Sequence, residues 1–202
     1  MDRQTPRRQV GFTLIELMVT LAVFAVVAAL TVPGMNGFIV SSRLTGQANE
    51  LLAGLNLARA EAISRNQRVI LCPVAAANGV PDTSGCVNPG TGNWAGWMVF
   101  VDVNRNGAFD AGEVIARAGV VGGGSTTVKA SASLSGVSNI VDFRPDGVAR
   151  AHGTVNVQQV ALGLCDTSRV AGENARLVTV MLGSRMSVAR QSASNCNPPS
   201  NP

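Results

Sequence analysis

The chain has 202 residues, 46% of them hydrophobic but only 4% aromatic, with 22 glycines and no tyrosine. That length holds one modest domain beyond any terminal segment, and its core has to be built from Val, Leu, Ile and Ala. Sixteen basic against twelve acidic residues leave a formal charge of +4, too small to argue nucleic-acid binding from bulk electrostatics. No G-x-S-x-G, H-E-x-x-H or phosphate-binding glycine loop occurs, so no catalytic residue or cofactor is assigned. The single histidine, His152, lies between Ala151 and Gly153 without a nucleophile pattern beside it and reads as a hydrogen-bonded surface residue.

Residues 1–11, MDRQTPRRQVG, carry Arg3, Arg7 and Arg8 against Asp2. From Phe12 the chain turns apolar at once, FTLIELMVTLAVFAVVAALTV, with Glu16 its one charge. A carboxylate in such a stretch costs on the order of 2–3 kcal/mol at a bilayer centre, so its position asks for a use. A secretory signal peptide would also show a basic leader and an apolar run, with Ala28 and Ala29 near a cleavage point and Arg7-Arg8 as a twin-arginine pair. Signal peptides keep that run free of acid, however, and here the helical pattern continues beyond it. The run GFTLIEL, Gly11 to Leu17, resembles the processing site of type IV pilins and type II secretion pseudopilins. The resemblance implies that a prepilin peptidase cuts after Gly11, that the new N-terminal Phe12 is N-methylated, and that Glu16 guides assembly into a filament. A basic leader stays in the cytoplasm, which sends the remainder outward.

Phe12 to about Leu30 is long enough to span hydrocarbon at ~1.5 Å per residue. Pro33-Gly34 and Gly37 predict a kink. Leu44, Ala48, Leu51, Leu52, Leu55, Ala58 and Ala62 then recur at helical spacing, with Arg43, Gln47, Glu50, Arg59, Glu61 and Arg65 mostly off the stripe. Asn66 is the expected left-handed cap. The spacing thus predicts one long helix, its transmembrane half at 12–38 and its amphipathic half at 39–66.

From Gln67 onward short apolar runs alternate with turn residues, which predicts a β-rich domain over 67–202. Strands are expected at Arg68–Cys72, Trp97–Val103, Val114–Ala118, Thr126–Ala130, Ile140–Phe143, Val155–Leu164 and Leu177–Leu182, with turns at Pro145-Asp146-Gly147 and Gly122–Gly124. The amphipathic half-helix would cover one face of these hairpins. Cys72, Cys86, Cys165 and Cys196 all fall in the exported part and read as two disulfides with three connectivities. Sequential pairing, Cys72 with Cys86 and Cys165 with Cys196, is expected because each pair encloses a loop-rich segment. Zinc is not expected, since no C-x-x-C pair occurs and His152 is far from any cysteine in sequence. The stretch Asp102 to Glu113, DVNRNGAFDAGE, fits the calcium-loop pattern D-x-[DN]-x-[DN]-G-x5-E at every specified position. Strand-like runs flank it rather than helices, so it also reads as a hairpin connection in which Asp and Asn bond local backbone and Gly107 takes positive φ. The sequence assigns no metal ligand.

The segments LARAEAISRNQRVILC (Leu57–Cys72), GWMVFVDVNRNGAFDAGE (Gly96–Glu113) and FRPDG (Phe143–Gly147) resemble one branch of the pilin superfamily, the H-type pseudopilins and minor pilins called GspH/FimT. The resemblance implies an α+β, type IV pilin-like fold, with the long helix packed on an antiparallel β domain. It also implies a non-enzymatic structural subunit, held by a single span in the inner membrane with its C-terminal domain in the periplasm, then taken into a pilus or pseudopilus. Its partners would be other pilins, the prepilin peptidase and the inner-membrane assembly platform. Where that branch often reads Gly-Arg-x-Arg near the C-terminus, this chain has Gly183-Ser184-Arg185-Met186, with the next arginine at Arg190. An alternative function is a pilus-borne DNA receptor in which Arg169, Arg176, Arg185 and Arg190 contact phosphates, or an adhesin tip subunit. The low charge and the broken arginine pattern count against DNA.

Overall fold

The structure, a computed structural model, describes residues 11–166, 168 and 172–202, leaving aside the side chains of residues 30–36. Arg169 and the leader ahead of Gly11 lie outside what is described, whereas the backbone at Pro33-Gly34 and Gly37, where a kink is expected, is helical. Helix α1 runs Leu14–Arg65. It stops where expected: Asn66 takes φ +53°, Asn66 N–H bonds Ile63 C=O and Gln67 N–H bonds Ala62 C=O. That pair of backward bonds closes a left-handed C-terminal cap.

The chain divides into two compact units, Met1–Ile39 and Val40–Pro202. In the first, every large apolar side chain from Leu14 to Val27 is more than half exposed. The second holds the rest of α1 and two antiparallel sheets. Strands β1 (Arg68–Val74), β4 (Gly96–Asp102), β5 (Ile115–Val120), β7 (Val141–Phe143) and β8 (Ala149–Ala151) make a five-stranded sheet ordered β5-β4-β1-β7-β8. Strands β6 (Thr126–Ala130), β9 (Val160–Asp166), β10 (Ala175–Met181) and β11 (Arg185–Gln191) make a second, ordered β11-β10-β9-β6. A two-residue ribbon, β2 (Ala76–Ala77) with β3 (Val80–Pro81), and a short helix α2 (Ala132–Ser135) complete the elements.

One core joins the amphipathic stripe to both sheets. Leu44, Ala48, Leu51, Leu55, Ala58 and Ala62 are fully buried among Val69, Val99, Val141 and Phe143 of one sheet and Val128, Leu162, Leu164 and Val178 of the other. Leu52, expected on the stripe, is only half-buried. Strands β1 and β4 are buried on both faces. On the side away from the helix a smaller cluster of Ile70, Cys72, Val74, Met98 and Phe100 is covered by Cys86 and Phe109.

Three expectations need correction. The strand expected from Val155 begins only at Val160, because residues 155–159 form a polar loop in which Val155 is exposed. The run ending at Leu182 turns back through Gly183 and Ser184, both at positive φ, into the unforeseen edge strand β11. Strand β8 and the β2–β3 ribbon, each three residues or fewer, were likewise not expected.

Candidate functional site

At the N-terminus, Thr13 and Glu16 bond reciprocally: Thr13 N–H donates to Glu16 Oε2 at 3.4 Å and Glu16 N–H to Thr13 Oγ1 at 3.3 Å. This is a capping box, which satisfies two of the N–H groups a helix start leaves bare. Gly11 and Phe12 lie just before it, both exposed. Among the described residues no helix is long and apolar enough to cross a membrane. The described side chains of the apolar stretch end at Ala29, whereas the apolar sequence continues to Val32.

In the second unit, three polar clamps fasten α1 to the β domain, two at strands and one at the β5–β6 turn. Arg176 of β10 is buried; its Nη2 donates to Ser41 Oγ at 2.8 Å and its Nε to Thr45 Oγ1 at 3.2 Å. Arg43 reaches the buried carboxylate of Asp166 at 2.5 Å. Burial would push Asp166 up, but hydrogen bonds from Ser168, Ser125 and Arg43 outweigh it and hold the carboxyl down at about 2. Gln47 closes a two-way amide pair with Gly122, donating to its C=O at 3.0 Å and accepting its N–H at 3.2 Å.

A second polar centre sits at the end of the five-stranded sheet. Arg68 and Asp102 are register partners on β1 and β4, so their side chains stand side by side. Arg68 forms ion pairs with Asp102 at 3.3 Å and Asp142 at 2.6 Å, and all three are buried. Its Nη2 also lies 3.2 Å from His152 Nδ1. Arginine only donates, so Nδ1 is the acceptor and the ring is neutral with its proton on Nε2. Burial and the Arg68 charge hold the His152 pKa below its ordinary value. The sequence reading of His152 as a surface residue is therefore corrected to a half-buried one; the signal for it, a cross-strand partner, is absent from local sequence.

Gly107 N–H donates to Asp102 Oδ2 at 2.9 Å and Gly107 has φ +82°. Glu113 closes the loop by accepting the N–H groups of Val103 and Asp110. Hydrogen bonds from Asn104 and Asn106 hold the Asp110 carboxyl below the usual range. The four cysteines pair as Cys72–Cys86 and Cys165–Cys196. The first bridge holds a loop on the outer face of the five-stranded sheet; the second fastens the C-terminal segment, whose Pro199 ring lies against Gly163 of β9.

Among the described residues, the arginines considered for DNA do not form one surface. Arg176 is enclosed by the helix clamp, and Arg190 pairs with Glu173 at 3.3 Å. Arg185 and Arg190 both belong to β11, at odd and even positions, so they point to opposite faces of the sheet.

Comparison with known proteins supplies the remaining context. None of the curated proteins compared matches the chain. Two crystal structures of the type IV minor pilin FimU from Pseudomonas aeruginosa (strain PAO1) are similar. One is 17% identical, covering 75% of this chain and 100% of that one with a TM-score of 0.45. The other is 16% identical, covering 78% and 99% with a TM-score of 0.47. The model of the prokaryotic N-terminal methylation motif matches residues 6–32, around the Gly11–Phe12 junction and the capping box. That of type II transport protein GspH matches residues 47–184, from the Gln47 clamp through strands β1 to β10 to the Ser184 turn, and over that span the chain belongs to the GspH family of type II transport proteins.

Proposed function

We propose that the chain is a non-enzymatic structural subunit of a type IV pilus or a type II secretion pseudopilus. Before assembly it waits in the inner membrane on a single N-terminal span, with residues 40–202 in the periplasm. The observation that carries this reading is the contrast along α1. From Leu14 to Val27 its large apolar side chains are all more than half exposed, whereas Leu44, Leu51 and Leu55 are fully buried in the domain core. A helix surface apolar all round is stable only in lipid or among other helices.

Cleavage after Gly11 frees the amine of Phe12, about one turn before Glu16. In the filament Glu16 leaves its cap and meets the amine of a neighbouring subunit, since two charges in hydrocarbon each gain by pairing. The partners are then neighbouring pilins, the prepilin peptidase and the inner-membrane platform. Mass spectrometry of membrane-extracted protein tests the reading: an N-methylated Phe12 terminus is expected, and Gly11→Val should leave the leader attached. A mature terminus near Ala29 would show a secretory signal peptide instead.

A further inference from the structure

We propose that the loop from Asp102 to Glu113 is a calcium site, with Asp102, Asn104, Asn106, the Ala108 carbonyl, Asp110 and Glu113 as oxygen donors. They occupy loop positions 1, 3, 5, 7, 9 and 12, with Gly107 at the sharp turn of position 6. The pattern alone would be a cluster of polar residues. What makes it a site is Asp102, which is fully buried yet has an oxygen, Oδ1, without a hydrogen-bond partner. Its other oxygen is held inside the loop by the Gly107 N–H and from behind by Arg68. A buried carboxylate oxygen left bare is costly, and a cation held by the loop would relieve that cost.

Three of the remaining donor side chains meet. Asn104 and Asn106 both aim their amide N–H groups at Asp110 Oδ2, at 2.7 and 2.6 Å, so the partial positive ends of two dipoles are already drawn to that point. The oxygens of these two amides accept the N–H groups of Asn106 and Ala108; a half-turn of each amide, which exchanges those two bonds for coordination, presents oxygen in place of nitrogen. Among the described residues no three His, Cys, Asp or Glu side chains are grouped to hold a metal by themselves. The site therefore depends on the two amides and a carbonyl, a hard oxygen set suited to calcium rather than to zinc. Strands β4 and β5 anchor the loop where helices flank the better-known version. Phe109, packed edge-on against Phe100 at 5.3 Å, holds its middle down.

The test uses the full-length protein in detergent, stripped of divalent ions with EGTA and desalted. Titration with calcium chloride should give a saturable single-site heat in the range of extracellular modules, about 0.1–1 mM, and raise the unfolding temperature. Magnesium chloride at equal concentration should do neither. Asp110→Ala and Glu113→Gln should each weaken calcium binding at least tenfold, with circular dichroism unchanged in its absence. Asn104→Ala, altering an exposed side chain, repeats the measurement should an acidic variant fail to fold. No heat and no thermal shift up to about 10 mM calcium would overturn the proposal. So would an undiminished response in these variants, or an equal response to magnesium.

Discussion

Asp166 shows how a single carboxylate ties helix to sheet. Its folded pKa of about 2 lies below the ordinary 3.8, because Ser168, Ser125 and Arg43 bond the ionised form. A depressed carboxylate contributes stability that is fully present above pH 3.8 and is lost as pH falls through about 2. The shift corresponds to about 2 kcal/mol, and Asp166 is buried enough to keep most of it. Replacing it should therefore cost stability at neutral pH and progressively less in acid. Urea unfolding of the wild type and Asp166→Asn at pH 7, 3 and 2 should show the gap narrowing downward. A constant gap across that range would mean that the charge is not what the network stabilises. Ser168 lies only two residues from Asp166, but Ser125 and Arg43 are 41 and 123 residues away, so sequence reading found neither partner.

At the scale of elements, two glycines of the same helix should respond in opposite ways to the same substitution. A Cβ on Gly46 meets nothing within 4 Å, whereas one on Gly54 would stand 2.6 Å from the Trp97 ring. That indole is fully buried and confined on its other side by Gly119, whose own Cβ would lie 2.8 Å from the ring. Alanine favours a helix over glycine by up to about 1 kcal/mol, so Gly46→Ala should raise the unfolding temperature. Gly54→Ala should lower it, since overpacking a rigid ring costs about 1–3 kcal/mol; equal shifts of one sign would contradict the packing. The helix itself was legible because its buried residues repeat every three to four positions and Asn66 marks its end. The two-sided burial of β1 and β4 matches their apolar stretches VILCPV and GWMVFV, although only one covered face was expected of the hairpins. Strand β11 was not legible, because Gly183 and Ser184 reverse the chain without the Asn-Gly or Pro-Gly pair that usually announces a tight turn. The Arg68 centre was equally hidden, since strand register, not sequence distance, places Asp102 and Asp142 beside Arg68.

The whole molecule puts opposite demands on one helix, and the boundary between them can be located by truncation. Residues from Val40 onward contain Ser41, Arg43, Thr45 and Gln47, the helix partners of all three clamps, together with the buried Leu44. They omit the exposed apolar side chains of Leu14–Val27 that make association unavoidable in water. A chain of residues 40–202 should accordingly be a soluble monomer that melts cooperatively without detergent. Starting eight residues later, at Ala48, would strip Arg176 of two hydroxyl partners and Asp166 of its cation, and would remove Leu44 from the core. Buried donors left unpaired cost about 1–3 kcal/mol each, and loss of a buried leucine side chain costs about 2–5 kcal/mol. Their sum rivals the whole stability of a domain this size, about 5–15 kcal/mol. Residues 48–202 should therefore be unfolded or aggregated under conditions where residues 40–202 are native, as read by circular dichroism and size-exclusion chromatography. If the two chains melted alike, the clamps would be ornaments on a domain held by its stripe alone. If residues 40–202 needed detergent, the association surface would have to extend past Ile39 into the domain.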